Sequence, residues 1–165
     1  MKNKVYFFAV CSAALLYSCS GSMNPAKLMS KKWALESVKG KMFDAAMAQM
    51  DAMKKAMDTT KDSMSKATMK ASIDSYNKGM ADLSKNTLTC NGDGTCQMHT
   101  VGMGQEKDLK GKWNLIDDGK KVVMTEDGNP KADTATVMEL TADKMTIGLP
   151  DGQGGTMSYT YKSMQ

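Results

Sequence analysis

The amino-acid sequence predicts a mostly β fold: an antiparallel meander of eight short strands that closes into a barrel or curls into a sandwich, with a helical insertion between the first and second strands. Three observations predict it. From residue 87 onward, apolar and polar residues alternate in short runs, the period of strands with one buried face. The runs are separated by clusters of Gly, Asn and Asp, which supply the backbone angles of tight turns. Between residues 42 and 85, by contrast, there is no Pro and a single Gly, Gly79, in a background of Ala, Met, Lys, Asp and Ser, a helical composition. Closure of the meander is favoured because it removes exposed strand edges.

The elements follow in chain order. Residues 20–30 are small and polar, with Asn24-Pro25, and read as a flexible tether, residues 19–30, ahead of a domain over 31–165. Lys32 to Lys39 is a short strand with Trp33 and Leu35 on one face, closed by Gly40. The insertion, about 42–85, suits two helical segments best, with one long helix whose apolar stripe drifts as the alternative. In the first, Phe43, Met47, Met50, Met53 and Met57 recur at three- and four-residue steps; in the second, Met69, Ile73, Tyr76, Met80 and Leu83 do so, each set forming one helical face. The break falls at Thr59 to Ser63, whose side chains suit caps more than helix interiors. Thr87 to Cys90 and Cys96 to Thr100 flank the turn Asn91 to Thr95. Further strands are expected at Lys112–Ile116, Lys120–Thr125, Thr134–Thr141, Lys144–Leu149 and Thr156–Tyr161.

The N-terminus carries an address. Lys2 and Lys4 precede an apolar run from Val5 to Leu16, the pattern of a bacterial export signal. A run of about a dozen residues is too short to span a bilayer, which takes roughly 20. Residues 1–18 therefore read as a signal peptide.

Composition removes several function classes. All 22 basic residues are Lys, so no guanidinium fork is present to grip phosphate or carboxylate. They are spread along the chain against 18 acidic residues, which argues against a nucleic-acid surface. His99 is the only histidine, which removes zinc sites built on several imidazoles, and its place in a strand between Met98 and Thr100 reads as an edge histidine. No catalytic triad, paired-carboxylate motif or phosphate loop is found, so no enzyme activity and no cofactor are expected.

Two constellations remain. Cys90 and Cys96 face each other across a five-residue turn in an exported chain, and a disulfide is expected between them. The 18 methionines include Met47, Met50 and Met53 on one helical segment; thioethers are soft ligands for Cu(I), so copper binding stands as an alternative to plain apolar packing.

Leu16-Tyr17-Ser18-Cys19 resembles the lipobox of bacterial lipoproteins, and the resemblance implies lipidation of Cys19 after cleavage before it, with acyl chains such as palmitate holding the protein on a membrane. The rest of the chain resembles the small lipocalin-like lipoproteins of Bacteroidetes-type bacteria: Lys32-Trp33 after the tether, the hairpin Thr87 to Thr95, Gly111 to Lys120, Leu140 to Met145, and the Tyr-rich last strand around Tyr159 and Tyr161. What this resemblance implies is a lipocalin-like barrel in the cell envelope, anchored by lipid on the outer membrane and facing the periplasm. The expected role is binding of a small apolar ligand or an envelope partner protein. Strand aromatics line the mouths of such cavities, so Trp33, Trp113, Met157, Tyr159 and Tyr161 are the expected ligand-binding residues.

Overall fold

A computed structural model describes residues 24–102, 104–152 and 154–164; the signal peptide and Cys19 lie outside the described residues. Eight antiparallel strands form one closed barrel in sequence order: β1 (Lys32–Lys39), β2 (Thr87–Cys90), β3 (Thr95–Gly102), β4 (Gln105–Ile116), β5 (Lys121–Glu126), β6 (Ala132–Leu140), β7 (Lys144–Pro150) and β8 (Thr156–Ser163). The last strand returns to the first through Leu35↔Tyr161 and Val38↔Tyr159, so neither edge of the meander is left open.

Alternation places one residue in two inside. Trp33 and Leu35 of β1, Leu88 and Cys90 of β2, Trp113 of β4, Val122 of β5, Ala135 of β6, Met145 and Ile147 of β7 and Tyr161 of β8 form a single buried core. Register shifts between Leu35 and Ser37 and between Val137 and Glu139 interrupt the alternation. Each shift adds a residue to one strand, which re-phases the side chains; in β1 it returns Val38 to the buried set.

The two ends of the barrel differ. At one end a short helix, α1 (Pro25–Met29), is capped by the Asn24 side chain, which accepts from the Ala26 amide at 2.9 Å. Its Met29 is wholly buried, and the Trp33 indole Nε1 donates to the Met29 carbonyl at 3.0 Å. This corrects the tether reading: from residue 24 the chain already packs on the barrel. A single turn of helix with no periodic stripe leaves little trace in sequence, and Met29 is held by the core and not by helix propensity.

From the other end rises a helical hairpin, α2 (Lys41–Thr59) and α3 (Ser63–Leu83). The break at residues 60–62 falls where expected, with Asp62 as N-cap accepting from the Ser65 amide at 2.8 Å. β1 and β2 still pair on either side of this excursion, Trp33 opposite Leu88. No residue of α2 is fully buried, whereas α3 buries Ile73 and Asp82 and packs on β3.

Asp82 fixes the end of α3. One carboxylate oxygen accepts from Lys85 Nζ at 2.9 Å, and the other is buried with no close donor among the described residues. Lys85, and more weakly the Gly104 amide on the β3–β4 turn, hold its pKa below the usual carboxylate value. Four residues on from Asp82, Asn86 Oδ1 accepts from the Val101 amide at 2.6 Å. The foot of α3 is thereby tied to the end of β3.

Hydrogen bonds likewise lower the pKa of Asp62, Asp93 and Asp108. A carboxylate whose pKa is lower folded than unfolded stabilises the fold above its unfolded value, near 3.9, and loses that contribution as pH falls through the folded value. Thermal midpoints should therefore hold steady from about pH 7 to 5 and fall steeply below about pH 4. A midpoint unchanged down to about pH 2.5 would mean that these carboxylates gain nothing on folding.

Candidate ligand-binding cavity

Eight strands enclose an interior wide enough to be filled by side chains or to hold one small ligand. In this barrel one half is filled and the other is not. Toward the α1 end, Trp33, Trp113, Met29 and Met145 occupy the interior. Toward the hairpin end lies a cavity of about 320 Å³, at the lower limit of the roughly 300–1,000 Å³ of ligand sites. Its wall is aliphatic and aromatic: Leu35, Val122, Ala135, Ile147, Tyr159 and Tyr161. Leu83 of α3, Asn86, Thr100 and Asp133 contribute at its edge.

Each strand places its residue for a local reason. Tyr159 and Tyr161 lie two apart on β8, facing Ile147 and Met145 across the β7 pairing. Ala135 contributes only a methyl group at 5% exposure, leaving room a larger residue would take. The Tyr161 side chain is buried (7% exposed), and its hydroxyl has no hydrogen-bond partner among the described residues. Burial, with smaller contributions from Tyr159 and Cys90, pushes its pKa to about 12, so it is a neutral phenol at physiological pH. The Tyr159 hydroxyl makes only a long contact to Met157 Sδ at 3.9 Å.

The structure divides the five expected ligand-binding residues. Tyr159 and Tyr161 line the cavity. Met157, opposite Leu149 on β7, is partly buried and packs against the core without lining the cavity. Trp33 and Trp113 are at the filled end, and both indoles are committed to structure: Trp33 to the Met29 carbonyl, Trp113 to the Asn91 carbonyl at 3.0 Å. They form the packed half beneath the cavity because α1 closes that end. Sequence reasoning missed Ala135 and Asp133, whose only signal is their even spacing on β6.

The expected disulfide is absent: Cys90 and Cys96 are free thiols. The register sets them directly opposite, but Cys90 is turned into the core at 1% exposure, and burial pushes its pKa to about 12. Burial raises the Cys96 pKa as well. The thiolate is the form that attacks to make a disulfide, and the fold suppresses it at both positions. In the chain from Ser20 onward, iodoacetamide at about pH 8 should leave Cys90 unmodified while the chain is folded and label both Cys90 and Cys96 in denaturant. A chain that takes up no label even when unfolded would contain the bond instead.

His99 lies on the outer face, its Nδ1 2.8 Å from Asp108 Oδ1. Thr87 is its register partner on β2 and Asp108 on β4, so the three form a cross-strand ladder. No hydrogen bond joins the Thr87 hydroxyl to the imidazole. The Asn91–Thr95 turn is a hairpin turn, as its composition predicts: Asp93 Oδ1 accepts from the Thr95 amide and hydroxyl at 2.9 and 2.7 Å.

Of the methionine stripe, Met47 is 41% exposed and its sulfur accepts from the Tyr76 hydroxyl at 2.6 Å. Met50 and Met53 are half-buried. Residues three apart turn by about 300° on a helix, a net step of about 60°, so the three side chains share one broad face of α2.

No protein-family model and no curated protein matches the chain. None of its described helices is long and apolar enough to cross a membrane.

Proposed function

We propose that this chain is a lipid-anchored envelope protein, not an enzyme, whose barrel carries a small apolar ligand. The observation that carries the ligand reading is the half-empty barrel. Interiors pack to crystal-like density, and an apolar void forfeits dispersion contacts along its lining. Here the void is confined to one end, beside the helical hairpin, while the other end is plugged.

The envelope address rests on the sequence: Lys2, Lys4, the apolar run and Leu16-Tyr17-Ser18-Cys19. Several acyl chains at about 0.8 kcal/mol per buried CH₂ hold a protein on a bilayer, whereas one gives marginal binding. Cys19→Ser should therefore move the protein from the membrane to the soluble fraction; a variant that stays on the membrane contradicts lipid anchoring.

Ligand carriage is tested with an apolar fluorescent probe. All described helices and strands lie between Pro25 and Ser163, so a chain beginning at Ser20 contains the whole barrel. It should bind the probe at micromolar concentration, about one per chain. Ala135→Phe places a ring in the void and should weaken binding at least tenfold while leaving the thermal midpoint unchanged or raised. A probe bound equally by both chains would place the site elsewhere.

A further inference from the structure

The cavity is not chemically uniform, and its polar groups specify a ligand charge. This inference rests on the ligand-carrying reading above. Of the residues that line the cavity, Asp133 alone is charged. It faces inward because it shares the phase of buried Ala135 two residues on, and it stands opposite Met124 across the β5–β6 pairing. It is exposed and makes no salt bridge among the described residues, so its charge is free to act on whatever passes the mouth. An adjoining cleft, which shares Met98, Met124 and Asp133 with the cavity, adds Lys110 and Glu126. These are one charge of each sign, and Glu126 is itself paired with Lys107 at 3.9 Å, which leaves Asp133 as the carboxylate at the mouth without an ion pair among the described residues.

At the inner end the chemistry is different. Tyr161, nine-tenths buried, presents a neutral hydroxyl that no described residue satisfies. Among the described residues Asp82 Oδ2 is the one buried side-chain oxygen without a partner, so the Tyr161 hydroxyl keeps access to the cavity its residue lines and can hydrogen-bond a neutral polar group there. The lining holds no cation, so a carboxylate carried to that depth would be desolvated with nothing to balance it. At the mouth the same carboxylate would meet the charge of Asp133.

We propose that the cavity selects a medium-chain amphiphile whose polar group is uncharged or cationic, and rejects fatty carboxylates, with Asp133 as the charge selector. A cavity of about 320 Å³ stands at the small end of ligand sites, which suits a single medium-length chain such as a decyl group.

The test is isothermal titration of the chain from Ser20 onward, at pH 7.5 and low salt, with three matched ligands below their micellar concentrations: decylamine, decanol and decanoate. The expected order is decylamine tightest and decanoate weakest, with about tenfold between those two, because opposite and like charges near one carboxylate at the solvent edge differ by that much. Asp133→Asn should bring decylamine and decanoate within about twofold, and Asp133→Lys should reverse them. Both substitutions are at an exposed position and leave the core intact. Decanoate binding as tightly as decylamine to the native chain would overturn the inference, as would a preference unchanged in both variants or one that persists when Ala135→Phe fills the void. Binding of none of the three would overturn the ligand-carrying reading beneath it.

Discussion

Replacing Trp33 by Ala should cost about 3–5 kcal/mol, the range for truncating a buried large aromatic residue. The thermal midpoint should drop by roughly 10–15 °C, at about 2–4 °C per kcal/mol for a chain of this size. Trp33 is completely buried, touches the core from β1 and donates its indole hydrogen to the Met29 carbonyl. Its loss empties the filled half of the barrel and removes the hydrogen bond that seats α1. Trp33→Phe separates the two contributions: it keeps most of the volume and loses the bond, and should cost only about 1–2 kcal/mol. Thermal unfolding followed by far-ultraviolet dichroism checks both. A Trp33→Ala chain that melts within a few degrees of the native one would mean that the α1 end is not the packed end.

Gly111→Ala should also be damaging, although it adds only one methyl group. Gly111 is buried on β4, and a Cβ at that position would run into the Thr125 carbonyl oxygen of β5. The obstacle is backbone and cannot rotate aside, so β4 and β5 must separate locally, straining the Lys112↔Thr125 and Gly111↔Glu126 pairs and the Asp127 amide bond to the Lys110 carbonyl. Overpacking of this kind costs about 1–3 kcal/mol and sometimes more. Gly102, with nothing within 4 Å of its hypothetical Cβ, supplies the control: Gly102→Ala should shift the midpoint by no more than a few degrees. Equal effects at the two glycines would contradict the close β4–β5 approach.

Much of this fold is legible in the sequence because a barrel strand needs only an alternating pattern and a turn. The hairpin around Asn91–Thr95, the break between α2 and α3, and the eight strands all follow from local chemistry. The first half of β4 does not. Gln105 to Lys110 carries four charged residues in six and looks like loop, yet it pairs along β3 from Val101↔Glu106 to Gln97↔Lys110. Its outward side chains are solvated, and Leu109 alone in that stretch carries the core pattern. The turn after β4 falls at Asp117-Asp118-Gly119, as its composition predicts, but its geometry is not legible: Asp117 and Asp118 both take positive φ, 53° and 55°, a conformation that short polar side chains tolerate.

The candidate site was half legible for a related reason. Alternation identifies which residues face inward, and so placed Tyr159 and Tyr161 correctly inside the barrel. It carries no information on which end of the barrel is plugged. That is decided by α1, five residues long, and it converts Trp33 and Trp113 from cavity lining to packed floor. Ala135 and Asp133 were overlooked because a small residue and a charge look like surface until the register fixes their face. The Cys90–Cys96 pairing was legible, but the depth at which Cys90 is buried was not.

Native mass spectrometry of the chain from Ser20 onward, purified from its own host's envelope, decides whether the barrel carries a ligand. The half-empty barrel predicts a single small molecule per chain that remains bound under gentle ionisation and is absent from the Ala135→Phe variant. A native chain that flies at its bare mass, both as purified and after incubation with the host's extracted lipids, would contradict ligand carriage.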